Sequence, residues 1–145
     1  MADEGTTLSN EAADHTTVTL RGRVVWMAEA MRRLHGAESD ADGERAIVAL
    51  ETEDGRLLPI LKDTRGRAFH KDPRWMGVPM ELVARRYRGS PMLQVVRTYN
   101  LKDGKKYEVD YWCDICAIPM FELKECECCQ GPIRIREQLV EDAAP

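Results

Sequence analysis

All five cysteines of this 145-residue chain fall within CDICAIPMFELKECECC, residues 113–129. Cys113 and Cys116 form one C-x-x-C pair, Cys126 and Cys129 form a second, and nine residues separate them. A two-residue spacer lets a tight turn aim both sulfurs of a pair at one point with backbone amides turned towards them. Two such pairs make the tetrahedral four-thiolate shell that zinc favours. Cys113, Cys116, Cys126 and Cys129 are therefore the candidate metal ligands, with structural zinc as the expected ion. Cys128 is the odd thiol: neighbouring side chains diverge, so it substitutes for Cys126 or Cys129, stays free beside the site, or does redox chemistry. Iron or an iron–sulfur cluster, Cu(I) and a thiol–disulfide couple are the alternative uses of such a cluster. C-type haem attachment is excluded, because no histidine follows either pair. Met27, Met31, Met76, Met80, Met92 and Met120 read as core filling rather than soft-metal ligands.

The paired spacing resembles a zinc ribbon or zinc knuckle pair over residues 111 to about 135. Neither pair has the proline inside or the glycine directly after it that ribbon knuckles often show, although Gly131 falls two residues past Cys129, and the connecting arm AIPMFELKE is short. The last 35 residues carry too little apolar material for a core of their own, so a metal would supply folding energy that burial cannot. Trp112, Ile118, Met120 and Phe121 are expected to cover the site and pack it onto the rest of the chain.

The elements that must position this cluster are mostly strands. Val18, Leu20, Gly22 and Val24 alternate with polar residues, and a glycine inside a strand marks a bulge or sharp coil. MAEAMRRLH has helical spacing. RAIVALETEDGRLLPILKD reads as a hairpin turned at Asp54-Gly55, TRGRAFHKDPRWMG as an irregular connection with one helical turn near Ala68 and Phe69, and Pro73 ends any helix there. VPMELVARRYRG and MLQVVRTYNL pair next, and Asp103-Gly104 turns the chain into KKYEVDYW, which leads to Cys113. The run from residue 17 to about 101 resembles an OB-fold in layout; an SH3-like barrel is the competing architecture. The expected fold is mainly β: a disordered tail over 1–15, a small five-stranded OB-like barrel over 16–110, the zinc ribbon over 111–135 and a C-terminal tail over 136–145. Barrel followed by four-cysteine ribbon is a layout that resembles a bacterial protein of that design. Barrel plus ribbon also recurs in nucleic-acid machinery, and in the opposite order in the acyl-CoA-associated OB family.

Charge narrows the function. Residues 1–17 carry −4, residues 18–110 carry +4 and residues 111–145 carry −4, for a net −4. That is too little basic excess to predict nucleic-acid binding from charge alone, but it permits a local basic patch. No nucleophile elbow, phosphate-cradling loop or paired metal histidines is present, His15, His35 and His70 are scattered, and Asp63 and Asp72 read as solvated or paired acids. A closed four-thiolate site leaves no open coordination position, so a non-enzymatic binding module is expected. The most suggestive surface is RRYRG, where Arg85, Arg86, Tyr87 and Arg88 form a candidate face for single-stranded nucleic acid, with Arg65, Arg67, Arg97, Tyr99, Phe69 and Trp75 as further members. The bland alternative pairs those arginines with Glu51, Glu53 and Glu81. A protein–protein adaptor presenting Ile118, Pro119, Met120 and Phe121 is the second function, and a thiol–disulfide redox protein the third. No membrane span and no signal peptide are present in the sequence as it stands, which points to the cytoplasm, or to export with a leader absent from this sequence.

Overall fold

Apolar alternation makes β1 (His15–Trp26) a two-faced strand, and the computed structural model, which describes residues 14–140, uses it to join two ladders. Its first part pairs antiparallel with β4 (Pro79–Tyr87), its last part with β2 (Val48–Thr52), and the two registers overlap only at Gly22 and Arg23. Gly22 is required at that crossing, since a Cβ there would lie 2.1 Å from the Glu51 carbonyl oxygen. The sharp coil expected from this glycine is where β1 passes from one partner to the other.

The connection after β1 is α1 (Met27–His35), which buries Ala28 and Ala30 and stops at Gly36 in the left-handed region. β2 and β3 (Leu57–Pro59) form the expected hairpin, with Gly55 at φ 91° in its turn. The irregular connection holds α2 (Ala68–Lys71) and a 3-10 turn at Pro73–Trp75, whose Arg74 N–H donates to the capping Asp72 carboxylate. Then β4 pairs with β5 (Leu93–Lys102), and Asp103 and Gly104, both at positive φ, turn the chain into β6 (Lys105–Cys113). Phe69 and Trp75 of the irregular connection close the main core over Val24, Leu50, Met80 and Leu82.

The five-stranded barrel needs correction. The sheet has eight strands in the order β3-β2-β1-β4-β5-β6, with β7 (Ile118–Met120) and β8 (Arg134–Leu139) both on β6, and it is open rather than a closed barrel. The reason is β6, which does not end at the expected boundary near residue 110. It runs on to Cys113, taking β8 along one edge and β7 along the other. Edge strand β3 meets β5 only through a parallel bridge between Ile60 and Leu93, with the Leu61 N–H donating to the Leu93 carbonyl at 2.9 Å. Residues 136–139, expected in a tail, lie in β8, and His15, expected in the N-terminal tail, opens β1. The rest of that tail, residues 1–13, lies outside the described residues, as do residues 141–145. Among the described residues no helix is long and apolar enough to cross a membrane.

Gly22→Ala forces either β1 or β2 to move, and overpacking of this kind is expected to destabilise the fold by about 1–3 kcal/mol. A lower urea midpoint at unchanged slope is the expected result. An unshifted midpoint would show that the crossing does not depend on the glycine.

Candidate metal centre

The two C-x-x-C pairs fold into the same turn twice. The Ala117 N–H donates to the Cys113 carbonyl at 2.8 Å, and the Gln130 N–H donates to the Cys126 carbonyl at 2.9 Å. Ala117 and Gln130 both sit at positive φ, 57° and 59°. These are the positions where ribbon knuckles often carry glycine, and here ordinary residues take the left-handed conformation at about 1–2 kcal/mol each. Amides then point at sulfur: Cys116 N–H to Cys113 Sγ, Cys128 N–H to Cys126 Sγ and Gly131 N–H to Cys129 Sγ, each at 3.4 Å. Gly131 has a second role, because a Cβ there would approach Cys129 Sγ to 3.2 Å.

The ligand atoms of Cys113, Cys116, Cys126 and Cys129 all lie within 4.8 Å of one another, and Cys113 Sγ is 3.6 Å from Cys129 Sγ. A tetrahedron of sulfurs about 2.3 Å from a central ion has edges of about 3.8 Å. The four cysteines are therefore placed to hold a metal ion. A disulfide needs about 2.05 Å between sulfurs, and all five thiols are free. Cys113 and Cys126 are buried, whereas Cys128 is exposed and stands outside the group of four. The amides of Cys129 and Cys128 help draw the Cys126 thiol down to about 7, while Cys128 foremost, followed by burial, pushes Cys116 well above the ordinary thiol range. Sulfurs packed this closely do not all ionise unaided; a bound dication removes that conflict by taking the thiolates as ligands.

A small second core surrounds the cluster. Tyr111 and Met120 are buried against Cys113 and Cys126, with Ile118, Ile133 and Ile135 around them. Trp112 lies under the Arg136 guanidinium at 3.8 Å, and Phe121 is 37% exposed under the Arg65 guanidinium at 3.7 Å. Two contacts that sequence reasoning missed join this core to the irregular connection. Glu122 accepts from Arg67 at 2.8 and 2.7 Å and pairs with Lys71 at 2.7 Å, with its own side chain only 4% exposed. Asp72 is fully buried; it takes the Arg74 guanidinium and the Tyr111 hydroxyl at 2.6 Å, and that hydroxyl in turn accepts from Trp75 Nε1 at 2.8 Å. From the sequence Asp72 reads only as a solvated or paired acid, and nothing there announces the Tyr111 partner.

The basic residues divide. Arg86, Tyr87 and Arg88 line an open cleft of about 670 Å³ with His15, Thr16 and Ser90, at the end of β4 where the chain turns towards β5. The His15 and Tyr87 rings lie 5.4 Å apart, and Arg88 pairs with Asp14 at 2.7 Å. Arg85 is exposed on the same strand end. The other expected members lie elsewhere: Arg65 donates to the Val96 carbonyl, Arg67 is held by Glu122, Arg97 stands beside Glu108, and Phe69, Trp75 and Tyr99 are buried. Glu81 is taken by Arg21 and Lys106 and Glu51 by Arg33, so neither serves Arg85 or Arg86. Met120, expected at an exposed tip, is buried beneath the cluster; the exposed apolar residue of the knuckles is Ile115 at 74%.

Comparison with protein-family models, curated proteins and solved structures found no match to the chain. What the structure supports of the expected bacterial barrel-plus-ribbon layout is a mainly β fold with a four-cysteine cluster towards the C-terminus.

The Arg67 guanidinium foremost, and Lys71 with it, holds the Glu122 carboxyl at about 2 against an ordinary 4.5. A depressed folded value means stability that is present above pH 4.5 and lost as pH falls from 4.5 towards 2. Glu122→Gln is expected to cost on the order of 2 kcal/mol at neutral pH and to flatten that part of the acid limb. Urea titrations of both proteins across this range check it, and parallel acid limbs would refute it.

Proposed function

We propose that the protein is a non-enzymatic binding module in which an open sheet with OB-like order in its first five strands, stiffened by a structural zinc ribbon, takes single-stranded nucleic acid at the β4–β5 end. Support for the OB assignment is the path β3-β2-β1-β4-β5 with a parallel contact from β3 back to β5 and a helical connection between β3 and β4. Support for zinc is the donor set: four thiolates in paired knuckles, a soft tetrahedral shell with no position left for substrate. Bound zinc would act by holding the two knuckles together, not by activating a ligand.

The observation that carries the binding function is the cleft itself. It brings Arg86 and Arg88 together with a partly exposed tyrosine and a histidine ring beside it, the combination of cations and π faces that single strands use. A protein partner is the second function, favoured by Ile115 standing exposed at the tip of the first knuckle.

Native mass spectrometry is expected to find one zinc per chain and alkylation to find Cys128 alone readily modified; chelation should then melt the near-ultraviolet signal of the second core while the main sheet persists. Metal-free protein with an unchanged near-ultraviolet spectrum would overturn the zinc assignment. For the cleft, labelled oligothymidylate should bind with an affinity that falls steeply with salt, and Arg85→Ala/Arg86→Ala/Arg88→Ala should lower the salt slope by roughly 2 to 3. Absence of saturable binding at low salt would refute the nucleic-acid function.

A further inference from the structure

The far end of β1 from the cleft carries a second aromatic and cationic group. The Trp26 and His70 rings meet edge to face with centroids 5.3 Å apart, and the Arg45 guanidinium lies 5.6 Å from the centre of the Trp26 ring. Three separate segments build this group: the end of β1, the residues leading into β2, and α2. The Ile47 carbonyl accepts from the Met27 N–H at 2.8 Å, which sets Ile47, 48% exposed, beside the strand end that bears Trp26. Burial foremost, and then the charge of Lys62, lower the His70 pKa.

Trp26 is only partly covered: it packs against the edge of the main core and keeps part of its indole accessible. The cation here is also available. Glu44 is held by Arg32 and Glu51 by Arg33, and among the described residues Arg45 forms no ion pair. Arg88, in the cleft, is neutralised in part by Asp14. An anion without a π face would have no use for the indole and imidazole, and an apolar ligand would have none for the arginine. A nucleotide uses both, its base on the rings and its phosphate on the guanidinium.

We infer that Trp26, His70 and Arg45 form a second stacking contact for the single strand, so that the bound chain runs along β1 from the β4–β5 cleft to this group. The inference rests on the proposed nucleic-acid function and adds a site to it. β1 has 12 residues, so at about 3.3 Å per residue the two contacts are at most about 36 Å apart. Affinity must therefore step up once an oligomer is long enough to reach both.

The experiment uses the full chain and labelled oligothymidylates of increasing length, with anisotropy and tryptophan emission read together. Wild-type protein is expected to show quenched emission at saturation and a rise in affinity between short and long oligomers. Arg45→Ala/His70→Ala, which leaves Trp26 and its core contacts in place, is expected to weaken long oligomers roughly tenfold and to remove the length step; Trp26→Ala should do the same, and Trp26→Phe should restore much of the binding. Unchanged long-oligomer affinity in the double variant, or unmoved emission at saturation, overturns the inference while leaving the cleft intact. Binding that needs Trp26 but ignores the triple arginine variant refutes the cleft and, with it, the inferred path along β1. Binding of no oligomer refutes both. Inorganic polyphosphate is the baseless control: competition as strong as that of the oligomer, without quenching, also overturns it.

Discussion

β6 is the strand on which the C-terminal part of the chain depends. Its first residues are laddered to β5, its middle to β8, and its last residue is Cys113, so the sheet itself delivers the first sulfur to the cluster. The core around that sulfur is small, and two of its four fully buried members are cysteines. Protonated thiols pack as small hydrophobes, but thiolates in such a place are tolerable only against a cation. The ladder therefore brings the knuckles near one another, and the ion that the sulfurs are placed to hold supplies the cohesion that a core of this size lacks.

The cluster is also tied sideways. Glu122, just after β7, reaches Arg67 and Lys71, and Tyr111 of β6 reaches Asp72, so both contacts end on the connection between β3 and β4. The same connection closes the main core with Phe69 and Trp75, and Trp75 donates to the Tyr111 hydroxyl. One short irregular segment thus serves two cores at once. Buried acids with satisfied partners add less to stability than hydrophobic contacts of equal volume, but leaving either unpaired is costly, and that asymmetry fixes the orientation of the knuckles on the sheet.

Local signals in the sequence carried far. Alternation marked β1 and β4, Asp54-Gly55 marked the turn from β2 to β3 and Asp103-Gly104 that from β5 to β6, and C-x-x-C spacing marked the sulfurs that converge. What escaped was non-local. In the charged run Arg134–Leu139, residues 136–139 read as tail because the strand character of the run comes from pairing with β6, including the Arg136–Asp110 ion pair across the ladder. In AIPMFELKE, Phe121 should be inside and Glu122 outside by residue type; the order inverts because Arg67, 55 residues earlier, waits for the carboxylate and Arg65 stacks on the ring. Closure of five strands into a barrel was inferred from strand count, and no residue pattern announced that the sixth would run on and carry two more.

Burial of the carboxylate, rather than the mere presence of a salt bridge, decides which cations of this chain are committed. Glu122 and Asp72 are almost wholly enclosed, so removing Arg67 or Arg74 would strand a buried charge, and no ligand can recruit those guanidinium groups cheaply. Arg88 and Asp14 are 69% and 73% exposed, and such a pair is worth less than about 1 kcal/mol, so a phosphate can displace the aspartate with little loss. The same test sets Arg45, which has no ion-pair partner among the described residues, with the available group. A chain of net charge −4 can then still present cations to a polyanion: its acidic excess lies in the segments before and after the body, and within the body the enclosed acids fix their own arginines while Arg85, Arg86 and Arg88 at one end of β1, and Arg45 at the other, remain free to exchange partners.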